Sequence, residues 1–312
     1  MKNRTAYTTN GMVNKFYNKD TSNVYAVRCA KCGGTIPAGE GFRHVGYNGG
    51  FVCEYCKPNT VGYHMGSDNS VGTAIKDEWQ VGTEIEVNRA TNSTQETLAQ
   101  FAATMCKFGF TMENDATVWK EFTGRIDRNL NGLAQVLMNV RKWDTLGYVT
   151  TEGSNVGTHA NISNTFVRDF RWSSGVINYE LIAQKSIDVL AQNPYMCKVT
   201  FGRACGEWAN TRAGVHASAI NTCHLTESKK AATRFEFRIM KFHSGIDCGG
   251  NYYISGIQTW KKWVHTLETC YKKGWTSERI AEKCAKVLLK EMEKKTAEAE
   301  VANDGWIEWV TR

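Results

Sequence analysis

The sequence predicts an α+β fold, and three observations carry that reading. Three well-separated segments, at 81–87, 156–162 and 233–239, alternate polar and apolar residues with the two-residue period of a strand. Other segments, long enough for several turns, place apolar residues at i, i+3 and i+4. The two kinds of segment are interspersed along a body from about residue 76 to the end, behind a short stretch that is rich in cysteine.

Residues 1–23 are polar, with many Asn, Thr and Lys, and are expected to form a loose arm. A cysteine module follows over 24–58. Cys29-x-x-Cys32 and Cys53-x-x-Cys56 are separated by 20 residues, a spacing that can place four thiolates around one Zn²⁺ at about 2.3 Å. Gly33-Gly34 suits the tight turn after the first pair. A four-thiolate site has no open position, so this zinc is expected to be structural. Phe42, Tyr47, Phe51 and Tyr55 read as its miniature core. Residues 59–75 are rich in Gly, Ser and Asn and read as a linker.

In the body, 81–87 is the first strand: Val81, Ile85 and Val87 face a core, and Glu84 and Glu86 face the other way. A helix over 93–107 starts at a Ser93/Thr94 cap and carries Leu98, Phe101, Ala102 and Met105 on one side. Strands at 108–113 and 117–122 flank a turn at Asn114-Asp115. A helix over 130–143 presents Leu133, Val136, Leu137 and Val140. The strand at 156–163 puts His159 and Asn161 on its polar side. A helix over 178–192 is expected to stop before Pro194. Strands are then expected near 197–203, 214–221 and 233–241, the last with Arg234, Glu236 and Arg238 on one side. Two helices, 251–273 and 277–300, close the body. The final helix has six basic and six acidic residues around an apolar stripe of Ile280, Cys284, Val287, Leu288 and Met292. Its charges therefore read as a solvated face with i,i+4 pairs Glu282–Lys286 and Glu291–Lys295. The pattern Gly-x-His-Ala-x-x-x-Asn-Thr occurs at 157–165 and again at 214–222, too short an echo to argue duplication.

The composition narrows the function classes. Hydrophobic residues at 42% and aromatics at 11% supply a core and exclude a disordered chain. A net charge of +7 is compatible with an anionic ligand such as a nucleotide; nucleic acid is possible but not favoured. No apolar run approaches a membrane span and no signal sequence is apparent, so a cytoplasmic, intracellular protein with reduced thiols is expected, and no membrane partner. Glu84, Glu86, Glu113, Glu121, His159 and Glu236 on neighbouring polar faces would be costly unless neutralised; divalent metal and phosphate are the counter-charges that fit. Arg234 and Arg238 offer fixed positive charge for a phosphoryl group.

The order Glu84-x-Glu86, Glu113-x7-Glu121, His159 and Glu236-x-Arg238 resembles the metal and nucleotide site of the glutamine synthetase-like carboxylate–amine ligases, and most of all the amidoligases of phages and bacterial gene clusters. The likeness covers about residues 79–265 and leaves the cysteine module outside. Its further parts are Glu113-Asn114-Asp115-Ala116-Thr117, Gly157-Thr158-His159-Ala160-Asn161, and Ala219-Ile220-Asn221 before Arg234-Phe235-Glu236-Phe237-Arg238. Ala116-Thr117 stands where Gly-Ser is usual, and Asn161 where a second histidine is usual.

The resemblance implies a curved antiparallel sheet with helices on its convex face and a phage or bacterial source. It implies ATP and Mg²⁺ as cofactors, and an amide-forming reaction through an acyl phosphate. Carboxylate and amine substrates, whether small molecules, peptides or proteins, are the implied partners. Glu84, Glu86, Glu113, Glu121, His159 and Glu236 would hold metal, Arg238 and Arg234 phosphate, and Asp115 would be a metal ligand or a base for the amine. Arg203, Arg212 and His216 would be nucleotide or substrate contacts. The lack of a Gly-x4-Gly-Lys-Ser/Thr loop agrees with a nucleotide held in the sheet's concavity. Two other readings use the same residues: a metal-dependent nuclease, and a catalytically degenerate relative that binds a nucleotide or a protein.

Overall fold

In the computed structural model, the described residues are 79–126, 131–169, 177–206, 208–226, 233–245, 247, 250–302 and 307, with the backbone of six short strands between residues 5 and 52. Those strands are β1 (Thr5–Tyr7), β2 (Val13–Asn18), β3 (Val27–Arg28), β4 (Thr35–Ile36), β5 (Phe42–His44) and β6 (Phe51–Val52). They pair as a four-stranded antiparallel sheet, β1-β2-β5-β6, and a separate β3-β4 ribbon. Two of them fall in the stretch read as an arm. Cys29, Cys32, Cys53 and Cys56 lie outside the described residues.

The body is α+β. Its strands are β7 (Gln80–Arg89), β8 (Thr111–Glu113), β9 (Lys120–Ile126), β10 (Val149–Thr150), β11 (Thr158–Ser163) and β12 (Phe235–Phe237). They form one open antiparallel sheet in the order β12-β11-β7-β9-β8, with β10 paired to the end of β7. The described helices are α1 (Gln95–Lys107), α2 (Asn131–Thr145), α3 (Thr165–Asp169), α4 (Tyr179–Gln192), α5 (Pro194–Phe201), α6 (Asn251–Lys272) and α7 (Ser277–Ala302).

Period-two alternation sorts each strand into two faces. Val81, Ile85, Val87, Phe122, Ala160, Ile162, Phe235 and Phe237 are buried on one face. Helices supply aromatic partners there: Phe101 of α1 meets Phe122 edge-on at 5.3 Å, Trp260 of α6 stacks on Phe237 at 4.2 Å, and Trp263 meets Phe235 at 5.3 Å. The Tyr253 hydroxyl donates to the His159 carbonyl at 3.2 Å and pins α6 under β11. The polar side chains of the same strands are therefore gathered on the other face.

The helix starts follow local chemistry. Thr94 caps α1 through a reciprocal pair with Thr97, at 3.1 Å and 2.8 Å, and the Asn178 side chain accepts from Leu181 N at the head of α4.

Three expectations need correction. Residues 197–203 are not a strand: Pro194 is the first residue of helix α5, where its missing N–H costs nothing, and that helix ends at Gly202 with φ 83°. Residues 214–221 are not a strand either. Gly214 (φ 74°) and the Ser218 hydroxyl, bound to the Arg212 and Val215 carbonyls, curl the segment, and its strand-like pairings are isolated bridges, Asn210–Ser218 and Asn221–Glu236. The two echoed Gly-x-His-Ala motifs thus have different conformations. On α7, Glu291 pairs with Lys262 of α6 at 2.8 Å and Lys295 with Glu298 at 3.2 Å, in place of the expected Glu291–Lys295 pair.

Candidate metal and anion site

The strand register lays the polar groups in three rows. Glu113, Glu121 and Glu86 stand directly opposite one another across β8, β9 and β7. Two residues along β7, Glu84 faces His159 of β11, and two residues further still, where β7 carries Gly82, Asn161 of β11 faces Glu236 of β12. Opposed side chains in such ladders are about 5 Å apart at Cβ, and like charges so placed repel. A folded sheet with three carboxyl groups abreast therefore needs a cation or a bound proton among them.

The second and third rows are tightly bonded to each other. His159 Nδ1 lies 3.1 Å from Glu84 and 3.3 Å from Glu236 Oε1, and its Nε2 is 3.9 Å from Glu86. Asn161 donates to Glu84 Oε1 at 2.8 Å and accepts from Arg234 Nε at 2.7 Å. Glu236, 2% exposed, takes four neighbours: Arg238 at 2.8 Å and His159 on Oε1, Asn221 at 2.6 Å and His224 at 3.1 Å on Oε2.

Around the first row, Thr123 Oγ1 donates to Glu113 at 3.1 Å, and Gly157 N donates to Glu86. A Cβ on Gly157 would lie 2.5 Å from His159 Nε2 and 3.0 Å from Glu86 Oε2, so glycine is required for the close approach. Asp115 accepts from both the backbone N–H and the hydroxyl of Thr117.

The charges respond to this crowding. Burial, together with Glu84, Glu86 and Glu113, pushes the Glu121 carboxyl up to about 8, against the pull of His159. Burial and Arg238 oppose charging His159, but Glu86 and hydrogen bonds to Glu236 and Glu84 win and raise it to about 9. Burial works against ionised Glu236 too, yet His159, His224 and Arg238 hold it well below the usual carboxylate range. For Asp115 the Thr117 hydrogen bonds outweigh burial and keep it below its ordinary value. Burial draws Arg203 down to about 10; this residue donates to the Val156 carbonyl and feels both Glu86 and Arg238. Burial and then Arg203 lower Lys241 to about 8, with its amine on the Gly153 carbonyl at 2.7 Å.

Glu84, Glu86, Glu113, Glu121, Asp115, His159, Glu236, Arg234 and Arg238 are thus on or beside one sheet face, with Arg203 at its border. Arg212 does not join them; it is exposed, its backbone N–H on Asn210, because the curl of 210–218 carries it elsewhere. Ligand atoms lie within 4.8 Å of one another in three sets: Glu84–His159–Glu236, Glu86–Asp115–Glu121 and His216–His224–Glu236. Sequence reading assigned no role to His224, Asn221, Lys241 or Gly157. Those residues belong to irregular segments or strand ends, where no periodicity marks them; the one available signal was that histidine is scarce, seven in the chain.

Among the described residues no helix is long and apolar enough to cross a membrane. No protein-family model and no curated protein matches the chain. The arrangement itself can bind divalent cations through oxygen-rich sets and hold an anion against Arg238 and Arg203.

Proposed function

We propose that the chain is an ATP- and Mg²⁺-dependent carboxylate–amine ligase. On this reading the sheet is curved in the glutamine synthetase manner, with helices on its convex side, and Cys29, Cys32, Cys53 and Cys56 hold a structural Zn²⁺. The observation that carries the reading is the adjacency of two ligand sets on one face, Glu84–His159–Glu236 and Glu86–Asp115–Glu121, beside the Arg238 guanidinium.

The donor chemistry fits the ions. Mg²⁺ takes carboxylates and completes its shell with water and phosphate oxygens, and the opposed Glu113, Glu121 and Glu86 are short of positive charge. Glu84, His159 and Glu236 would hold one ion, and Glu86, Glu121 and Asp115, with Glu113 behind them, another. When bound, the ions supply charge neutralisation at the phosphoryl group that passes from nucleotide to substrate carboxylate.

The chain's own residues do the rest. Arg238, clamped to Glu236, presents a fixed cation where negative charge builds in the transfer. Arg234 is fixed by its Nε on Asn161, and Asn161 in turn aims Glu84; here the asparagine does the orienting. Thr117 keeps Asp115 ionised at the more open edge, where it can ligate or receive the proton of an incoming amine.

Incubation with ATP, Mg²⁺, pooled carboxylic acids and hydroxylamine tests this. The expected result is hydroxamate formed in step with phosphate release, and lost in Glu236→Gln. Nucleotide binding without turnover would favour the degenerate binder, and Mg²⁺-dependent plasmid nicking without ATP the nuclease. Metal analysis should show about one zinc per chain fewer in Cys29→Ser/Cys32→Ser than in wild type.

A further inference from the structure

Glu236 divides its two oxygens between two neighbourhoods. Oε1 faces His159 and Arg238; Oε2 faces Asn221 and His224. On the Oε2 side lie two imidazoles, His224 and His216, that are not among the metal ligands of the ligase reading. His224 belongs to the short 3₁₀ turn Cys223–Thr226, with its side chain 14% exposed, and His216 is exposed in the curled segment before it. Their rings meet edge to face, with centroids 5.9 Å apart and planes at 76°. One ligand atom each of His216, His224 and Glu236 lies within 4.8 Å of the others.

His224 Nε2 sits between two groups with opposite preferences. It stands 3.1 Å from the Glu236 carboxylate, which a protonated nitrogen suits, and 3.4 Å from Arg234 Nη2, which a bare lone pair suits. One ring nitrogen cannot be both at once. A cation between Nε2 and Oε2 removes the conflict with Glu236, since a lone pair then suits both atoms.

We propose that His216, His224 and Glu236 form a third cation site, for a borderline transition ion of the Zn²⁺ or Co²⁺ class, bridged through Glu236 to the oxygen-rich sets. Two imidazoles and one carboxylate are poor company for Mg²⁺, which prefers all-oxygen shells. They match the three-ligand sets that bind zinc and leave a position open for water or a substrate group. The site stands independently of the ligase reading, because it can be measured with no nucleotide present.

The test is equilibrium dialysis of the full chain against Zn²⁺ in excess Mg²⁺, which occupies the oxygen-rich sets, followed by metal analysis. Zinc on the cysteine module is common to every variant and cancels. Wild type should retain one equivalent more than His216→Ala and His224→Ala, whose affinity at this site falls at least about tenfold. Co²⁺ added after the cysteines are filled should give visible bands without thiolate charge transfer, lost in the same two variants. Equal zinc retention in wild type and both histidine variants, or a cobalt spectrum wholly of thiolate type, overturns the proposal. His216 is a surface residue, so His216→Ala decides the matter even where His224→Ala destabilises the fold.

Discussion

Asn161 shows how much one side chain on this face arbitrates. Its amide joins Glu84 to Arg234, both buried, so truncation strands an acceptor and a donor together. Asn161→Ala should lower stability by about 1–3 kcal/mol in chemical denaturation, and should weaken Mg²⁺ binding measured by calorimetry. Gly157→Ala is expected to act differently. The added methyl group drives His159 and Glu86 apart, so metal affinity should fall by an order of magnitude or more while the melting temperature changes less. At this scale the sequence was informative wherever a candidate residue sat on one of the three alternating segments: Glu84, Glu86, His159 and Glu236 followed from period two, whereas Glu113 and Glu121 came from flanking a turn and from the order of the motifs. Asn221, His224 and Lys241 did not, because a turn or a strand end fixes where they point, and no spacing rule reaches across such bends.

Among the elements, the register of β7 against β9 and β11 is what converts sequence pattern into a site. A shift by one residue would turn Glu84 and Glu86 into the core and expose Ile85 and Val87. The aromatic stack beneath β12 fixes that strand, which is only three residues long. Trp260→Ala removes the partner of Phe237 and of Phe201 and should cost about 3–5 kcal/mol, read from urea unfolding; a cost below about 1 kcal/mol would contradict the packing described. Long amphipathic helices such as α1, α4, α6 and α7 were legible to within a few residues, since their apolar stripes are continuous. Helix α5 was misread because β-branched Val199 and Thr200 resemble strand residues, and because Pro194 starts a helix as readily as it ends one. The 214–221 segment alternates acceptably on paper; glycine at positive φ and a serine bonded to nearby carbonyls override the alternation.

For the molecule as a whole, the ionisation of the face predicts a pH response. The folded state raises His159 to about 9 from an ordinary 6.5, so its contribution is complete below pH 6.5 and is lost as pH rises through 9. Glu121 is raised to about 8 from 4.5; it adds nothing unfavourable in acid and destabilises increasingly as pH climbs from 4.5 towards 8. Both terms point the same way, so thermal stability of the metal-free protein should decline from about pH 6.5 to 9. Mg²⁺ should reverse that decline and should bind more tightly as pH rises towards 8, releasing protons on binding, which calorimetry in buffers of different ionisation enthalpy can count. A melting temperature that rises through this range without metal would contradict the charge assignment. The strand order has a kinetic corollary. Glu84 and Glu236 are far apart along the body's chain, and β12 is set at the sheet margin by the helix that follows it. Closing that loop is slow relative to local helix formation. During synthesis Glu86, Asp115 and Glu121 can therefore come together early, whereas the Glu84–His159–Glu236 set cannot close until Glu236 and the helix that seats β12 have emerged, so the two donor sets mature at different times.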